Sequence, residues 1–570
     1  MMPNSFLILL GEPPFQTAGA VFSNNTVSLC VNEPNDRFIK ISHFETGFEI
    51  FIGETCHEAL PQSPGNGVPA GTLITFCAES NNLTVKCDRL GTATVYWKKS
   101  GSKLLLSNRK ENLITQADEP DWPSIQQYLH TGFTIKSTTF IKSISQTEPN
   151  TVLTASYKQQ LNLSLSKRAD SSLHESVQTT DLIDQIADQI ARKLLNSAPS
   201  VLMMSAGWDS RTLLLPGTSN LAGAYTHGDL SSREITLARN LTGPQRLDHL
   251  FVDVQSCPIT SALIDSMLHK LGSGVFPIWF IAAQNIRNWK NVPIMSGVLG
   301  ELLGGHYGLM SWGSRTQKLF SSLSLLSDSL VNEQQVHSGI DRYCTPPKSH
   351  WFTSSYGQEI LDENRVDTKE RAQRAIDEHY KETGNWQQAL EDFNMAHRAR
   401  QYILKQAQAA SSSIGYTIPF ADERLSDLVR AVDFKHRIHN KANQRILQAR
   451  KPALLREPMA ATLIAAKYPI LFQEFSRVFR IAGENASIAL GKDKPRLGWF
   501  NYEHLYQSAV LHDLVDSLTQ DLWDKSRMHT TLNSNIVNGI DAGSTLDMLC
   551  KIKTVDYYLQ QTTCHNGTCK

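Results

Sequence analysis

The sequence has no apolar run long enough to cross a bilayer. Phe6-Leu7-Ile8-Leu9-Leu10 stops after five residues, and Val275–Ala283 is interrupted by Pro277, whereas a spanning helix needs about 20 apolar residues. There is no excess of either charge. Lys and Arg number 55, Asp and Glu 55, so the broad basic face with which a nucleic-acid binder displaces counterions is not expected. The N-terminus lacks the basic flank and longer apolar stretch of a secretory signal. The nine cysteines, at 30, 56, 77, 87, 257, 344, 550, 564 and 569, form no CxxC pair. That placement excludes a zinc ribbon and argues against a disulfide framework. Cys564 and Cys569 are close enough in sequence to pair or to hold a metal. Buried thiols in a reducing, cytoplasmic setting are the simpler expectation. No internal repeat is visible.

What remains is an ordinary folded composition, 41% hydrophobic and 19% charged over 570 residues, which leaves ample chain for large cores. Two regimes follow each other. Up to about residue 165 short β-type segments (27–31, 38–41, 48–52, 73–76, 83–85, 95–97 and 103–106) alternate with Asn-, Gly- and Pro-rich turns, which predicts an antiparallel, sheet-rich unit over residues 1–165. A polar, Ser-rich linker is expected at 166–178. From 178 to 570 the pattern changes. A helix at 181–196 precedes strands at 201–204, 221–225, 249–254 and 292–295, with helices at 233–241, 259–271 and 278–289 between them. That cadence predicts an α/β unit with a parallel sheet and right-handed crossovers. Beyond about 365 helices dominate, at 367–383, 387–410 and 440–450.

The segment with most chemistry follows the first parallel strand: Ser205-Ala206-Gly207-Trp208-Asp209-Ser210-Arg211. A strand, a tight Gly-containing turn and a helix start point backbone N–H groups at an anion. Ser205 and Ser210 add hydroxyl donors, and Gly207 permits close approach. Asp209 would repel a bare phosphate; it fits if it holds Mg²⁺, which bridges carboxylates and polyphosphates. Turns rich in Ser, Gly and Asp also follow strands in proteins that bind nothing. The loop is not a Walker A motif, since no Gly-Lys-Ser/Thr is present.

The loop resembles the Ser-Gly-Gly-x-Asp-Ser loop of PP-loop ATP pyrophosphatases, with Ala206 in place of the first Gly. A second segment, Ser296-Gly297-Val298-Leu299-Gly300-Glu301-Leu302-Leu303-Gly304-Gly305-His306-Tyr307, resembles the Ser-Gly-x-Gly-x-Asp-Glu-Leu-Phe-Gly-Gly-Tyr segment of asparagine synthetase-like enzymes. It is one residue shorter here, so Glu301 takes the metal role as the only carboxylate present. Ile418-Pro419-Phe420-Ala421-Asp422 is similar to that family's Pro-Phe-Leu-Asp segment, and Lys441–Leu447, more loosely, to its Lys-x-x-Leu-Arg helix. Lys494-Pro495-Arg496-Leu497-Gly498-Trp499 resembles its Arg-Pro-Lys-x-Gly-Phe loop with the two cations exchanged, so either Lys494 or Arg496 stands over the reacting phosphate. Arg offers a planar fork where Lys offers a point charge.

The resemblance implies ATP and Mg²⁺ as cofactors, an ATP/pyrophosphate site at Ser205, Ala206, Gly207, Asp209 and Ser210, metal ligands Asp209 and Glu301, and catalytic roles for those two with Lys494 and Arg496. In the N-terminal part, Cys87-Asp88-Arg89-Leu90-Gly91 to Trp97 resembles the Asp-Arg-x-Gly-x-x-Pro-Leu-Tyr-Tyr segment of class II (Ntn-type) glutamine amidotransferase domains. Those use an N-terminal Cys as nucleophile, with its α-amino group as base. This chain begins Met1-Met2-Pro3-Asn4-Ser5, and its first cysteine, Cys30, reads as a strand core residue. An inactive amidotransferase-like region is therefore expected.

The combination resembles the branch of the family that forms amides without glutamine, including β-lactam and carbapenam synthetases and lasso-peptide cyclases. The lactam-forming Tyr is absent near Val298 and Leu299. His306, Tyr307 or a substrate amine remain for proton transfer. The expected partners are a carboxylate substrate plus an amine, small molecule or peptide, with room for a partner protein in a biosynthetic pathway, and with no nucleic acid and no membrane span. Competing expectations are ammonia-dependent asparagine synthesis, a non-catalytic nucleotide- or partner-binding subunit, and PP-loop chemistry on RNA.

Overall fold

The computed structural model describes residues 2, 4–11, 20–33, 37–55, 70–168, 179–254, 258–286, 289, 291–308, 311, 331–344, 353–411, 414–490, 502–534 and 541–563. Two antiparallel sheets form the N-terminal region. The first contains β1 (Ser5–Leu10), β2 (Ala20–Ser23), β3 (Val27–Asn32), β8 (Tyr96–Ser100), β9 (Lys103–Ser107) and β10 (Ser145–Gln146). The second contains β4 (Ile39–Phe44), β5 (Gly47–Gly53), β6 (Gly71–Cys77), β7 (Asn82–Cys87), β11 (Thr151–Tyr157) and β12 (Leu161–Lys167). Strand alternation sends one face of each sheet inward. Phe6, Ile8 and Leu10 of β1 thus share a fully buried core with Phe48, Ile50, Ile74 and Val85 of the other sheet.

Seven of these strands coincide with the segments expected from sequence. β1 was visible only as a short apolar run, and β11 and β12 gave too few turn signals to stand out. Cys30, in β3 opposite Leu7, is buried as expected. Between β9 and β10 lies α1 (Trp122–Thr131), which Asp121 caps by accepting a hydrogen bond from Ser124 N at 3.1 Å.

The parallel sheet runs in the order β15-β14-β13-β16-β17. Its strands are β13 (Ser200–Met203), β14 (Leu221–Gly228), β15 (His249–Asp253), β16 (Ile294–Met295) and β17 (Tyr416–Thr417). The helices α2 (Thr179–Asn196), α3 (Trp208–Thr212), α4 (Arg233–Thr242), α5 (Ser261–Leu271) and α6 (Pro277–Gln284) connect and cover it. From β13 the chain builds outward through β14 and β15, then returns to lay β16 on the opposite side. The crevice at the carboxyl ends of β13 and β16 is therefore a topological switch point, where open α/β sheets bind ligands. The strand expected at 292–295 shrinks to two residues, and α6 stops at Gln284, short of 289. β17 has too few residues to read from sequence.

The helix expected at 387–410 is not one regular helix. Trp386–Asn394 and Leu404–Ala410 are α-helical, and Met395–Ile403 between them is π-helical. That distortion is rare and concentrates at functional sites. It carries Arg400 into the N-terminal region, where Nε donates to Gly91 O at 3.0 Å.

Other buried contacts tie the two regions together. Glu54 accepts from Ala70 N at 2.8 Å and pairs with Lys193 at 2.9 Å. Arg89 pairs with Asp427 at 2.9 Å. The Asp88–Gly91 turn is thus part of the junction: Asp88 accepts from Leu90 N at 2.9 Å, and Gly91 adopts φ +62°. Among the described residues no helix is long and apolar enough to cross a membrane.

Candidate functional site

A cavity of about 120 Å³ opens at the switch point. The turn after β13 brings Ser205, Gly207, Asp209 and Ser210 to it, and the turn after β16 brings Ser296, Gly297, Val298 and Glu301. The two turns pack with almost no space between them. A Cβ on Gly297 would lie 3.1 Å from Asp209 Cβ, and one on Gly300 would lie 2.5 Å from Asp209 Cγ. Real Cβ atoms do not tolerate the second distance, so glycine at 300 is what allows Asp209 and Glu301 to approach. Leu299 between them holds φ 70°, a left-handed conformation that costs a branched side chain free energy and concentrates at ligand sites.

Each sequence-expected member of the turn has a definite position. Ser205 Oγ and Ser210 Oγ are 3.0 Å apart. Gly207 N donates to Ser205 Oγ at 3.1 Å, and Gly207 caps the five-residue helix α3. Ala206 departs from the expectation of a free anion-binding amide, because its N–H is taken by Glu234 Oε1 at 2.6 Å. The first-turn N–H groups of residues 208–210 remain as donors, having no acceptor within the helix. Trp208 packs on the core beneath the parallel sheet.

Both carboxyls are buried, and the charge of Arg398 acts on Glu301 in favour of its ionised form. Asp209 Oδ1 is buried with no hydrogen-bond partner. Desolvation, and then the charge of Glu301, hold the Asp209 carboxyl well above the usual carboxylate range. Desolvation also raises Glu301, although Tyr307 OH donates to its Oε2 at 3.0 Å. Among the described residues no group of three or more His, Cys, Asp or Glu forms a metal cluster.

Tyr307 and His306 do not line the cavity. Tyr307 orients Glu301, and His306 Nε2 is bonded to Asn440 Nδ2 at 2.9 Å. Asp422 is also structural: it caps the helix Glu423–Ala431 by accepting from Leu425 N at 2.9 Å, and it accepts from Gln189 Nε2 at 2.9 Å. The helix beginning at Lys441 reaches the site indirectly, through Asn443 Oδ1, which accepts from Thr212 Oγ1 at 3.1 Å. Lys494, Arg496, Cys564, Cys569 and most of the linker at 166–178 lie outside the described residues.

Five contributors escaped the sequence reading. Arg211 is fully buried and props the loop from below, donating to Ala206 O at 3.1 Å and to Leu454 O and Glu457 O at 2.9 Å. Glu234, in the first turn of α4, holds the Ala206 amide. His227, Trp279 and Gln406 line the cavity from three other elements, and nothing near them in sequence signals it. The His227 and Trp279 rings meet edge to face at 4.6 Å. Burial pushes His227 down to about 4, leaving a neutral ring at physiological pH.

No protein-family model matches the chain, and no curated protein is significantly similar to it in sequence.

Proposed function

We propose that this chain is an ATP-dependent carbon–nitrogen ligase, joining a carboxylate to an amine through an acyl-adenylate and releasing AMP and pyrophosphate. One observation carries it. Asp209 and Glu301 converge at the switch point beside two serine hydroxyls; burial raises both carboxyls even with the Arg398 charge acting on Glu301, and Asp209 Oδ1 has no hydrogen-bond partner. On this reading the antiparallel sandwich is an amidotransferase-type region that hydrolyses no glutamine, and the parallel-sheet region is the PP-loop synthetase.

The residues present fit Mg²⁺. Asp209 Oδ1 is an orphaned buried acceptor, and Mg²⁺ is usually held by one or two carboxylates with substrate phosphates completing its shell. When bound, the ion would neutralise polyphosphate charge between Asp209 and Glu301. The chain's own groups do the rest. Ser205 and Ser210 hydroxyls donate to phosphate oxygens, and Arg211 and Glu234 hold the loop rigid. Met203, His227 and Trp279 give the cavity an apolar, aromatic wall suited to a flat base.

A substrate carboxylate oxygen attacks the α-phosphorus as the α–β P–O bond breaks, and pyrophosphate departs. The amine nitrogen then attacks the acyl carbon and loses a proton, and AMP departs with the acyl C–O electrons. Positioning and fixed electrostatics supply the catalysis. The test is ¹⁸O-labelled carboxylate with mass analysis of AMP. One label should pass into AMP. Formation of ADP, or unlabelled AMP from a turned-over labelled acid, overturns the proposal.

A further inference from the structure

A larger cavity, about 190 Å³, lies between the sandwich and the helical layer. Its charge is the reverse of the first. Lys110, Arg109 and Glu111 enter from the N-terminal region, Lys270 from α5, and Arg400 and Lys405 from the helices 386–410. Arg109 and Glu111 neutralise each other at 2.6 Å, and Glu111 also accepts from Tyr558 OH at 2.9 Å. Lys110, Arg400 and Lys405 form no ion pair among the described residues. Lys110 Nζ sits 4.0 Å from the Tyr558 ring centroid and 4.1 Å from that of Phe140. Lys405 Nζ donates to Gln408 Oε1 at 2.9 Å, and Arg400 donates to the Gly91 and Thr147 carbonyls and the Thr94 hydroxyl.

Among the described residues, Arg109, Lys110, Lys270, Arg400 and Lys405 line this cavity against a single lining carboxylate, Glu111, which is already paired with Arg109; that cationic surplus is costly, since a buried charge needs an opposite charge or full hydrogen bonding. Desolvation accordingly lowers Lys110 to about 7 and Lys405 to about 8. Natural chains keep such costs chiefly where they serve a ligand.

We infer that this cavity binds a small organic dianion. A monoanion would leave most of the charge uncompensated. The aromatic wall of Tyr96, Phe140 and Tyr558, and the volume, favour an organic body over a bare inorganic ion. A dicarboxylate and a phosphate monoester share the required chemistry. The helix Leu404–Ala410 separates this cavity from the one at the sheet edge, with Lys405 and Gln408 facing one and Gln406 the other. The inference is independent of amide formation.

The experiment is calorimetric titration of the full chain with succinate and, separately, glycerol 3-phosphate. At least one probe should bind saturably, and which one does identifies the class. Lys110→Met and Lys405→Met should each weaken it at least about tenfold, with Lys405→Arg restoring part of the loss. Both methionine variants should melt higher than wild type without ligand, and magnesium-ATP titrations on the same samples should be unchanged by them. If neither probe binds saturably, or if the folded methionine variants bind as wild type does, the site does not exist. A failed magnesium-ATP titration alone would bear on the ligase proposal only.

Discussion

The two cavities hold like charges of opposite sign on either side of one short helix. At the sheet edge, two carboxyls repel and are raised; between the regions, two lysines are desolvated and lowered. The same physics governs both, for each concentrates one sign of charge where solvent cannot screen it. The difference lies in construction. The acidic site is built by two short turns after neighbouring strands, so its chemistry is compressed into contiguous sequence. The basic site is assembled from residues 110, 400 and 405, which only the tertiary fold brings together.

The comparison can be broken most forcefully at Glu301. If the ligase proposal holds, Glu301→Gln should lower ATP-dependent turnover by about 10²–10³-fold, the scale of losing one preorganised electrostatic element, while raising the melting temperature without ligand. Arg211→Ala comes next. It strands the carbonyls of Ala206, Leu454, Glu457 and Pro458 and should cost about 2–4 kcal/mol in urea unfolding. Gly300→Ala drives a Cβ into Asp209; about 1–3 kcal/mol of destabilisation is expected, accompanied, on the ligase proposal, by loss of ATP-dependent activity.

The smallest effect lies at neither cavity but at the buried His397, which packs against Phe133 and Phe393. Burial, then the charge of His379, pushes His397 down to about 3. Between pH 6.5 and 3 the unfolded chain therefore binds a proton there that the folded chain refuses, so stability falls as pH falls. Urea unfolding at pH 6.5 and pH 5 should differ by about 1–2 kcal/mol from this group, and His397→Leu should remove that share of the slope.

Much of the architecture was legible because periodicity reports burial. The alternating strands at 48–52 and 83–85 and the amphipathic helix α2 are where the pattern placed them. Two-residue strands such as β17 carry no period to read, and the π-helical stretch at 395–403 looks helical in sequence because its apolar spacing is. At the site, Ser205, Asp209, Ser210 and Glu301 were visible because turn chemistry is local. Glu234 and Arg211 were not, since their roles depend on what the fold sets opposite them: an amide for one, four backbone carbonyls for the other.

The most direct measurement is ATP binding by calorimetry, with and without Mg²⁺, for wild type and Asp209→Asn. If Asp209 and Glu301 hold the cation of a nucleotide polyphosphate, wild type binds ATP far more tightly with Mg²⁺, and the variant loses that dependence. Equal affinity with and without Mg²⁺, or an unchanged Mg²⁺ dependence in the variant, would contradict it.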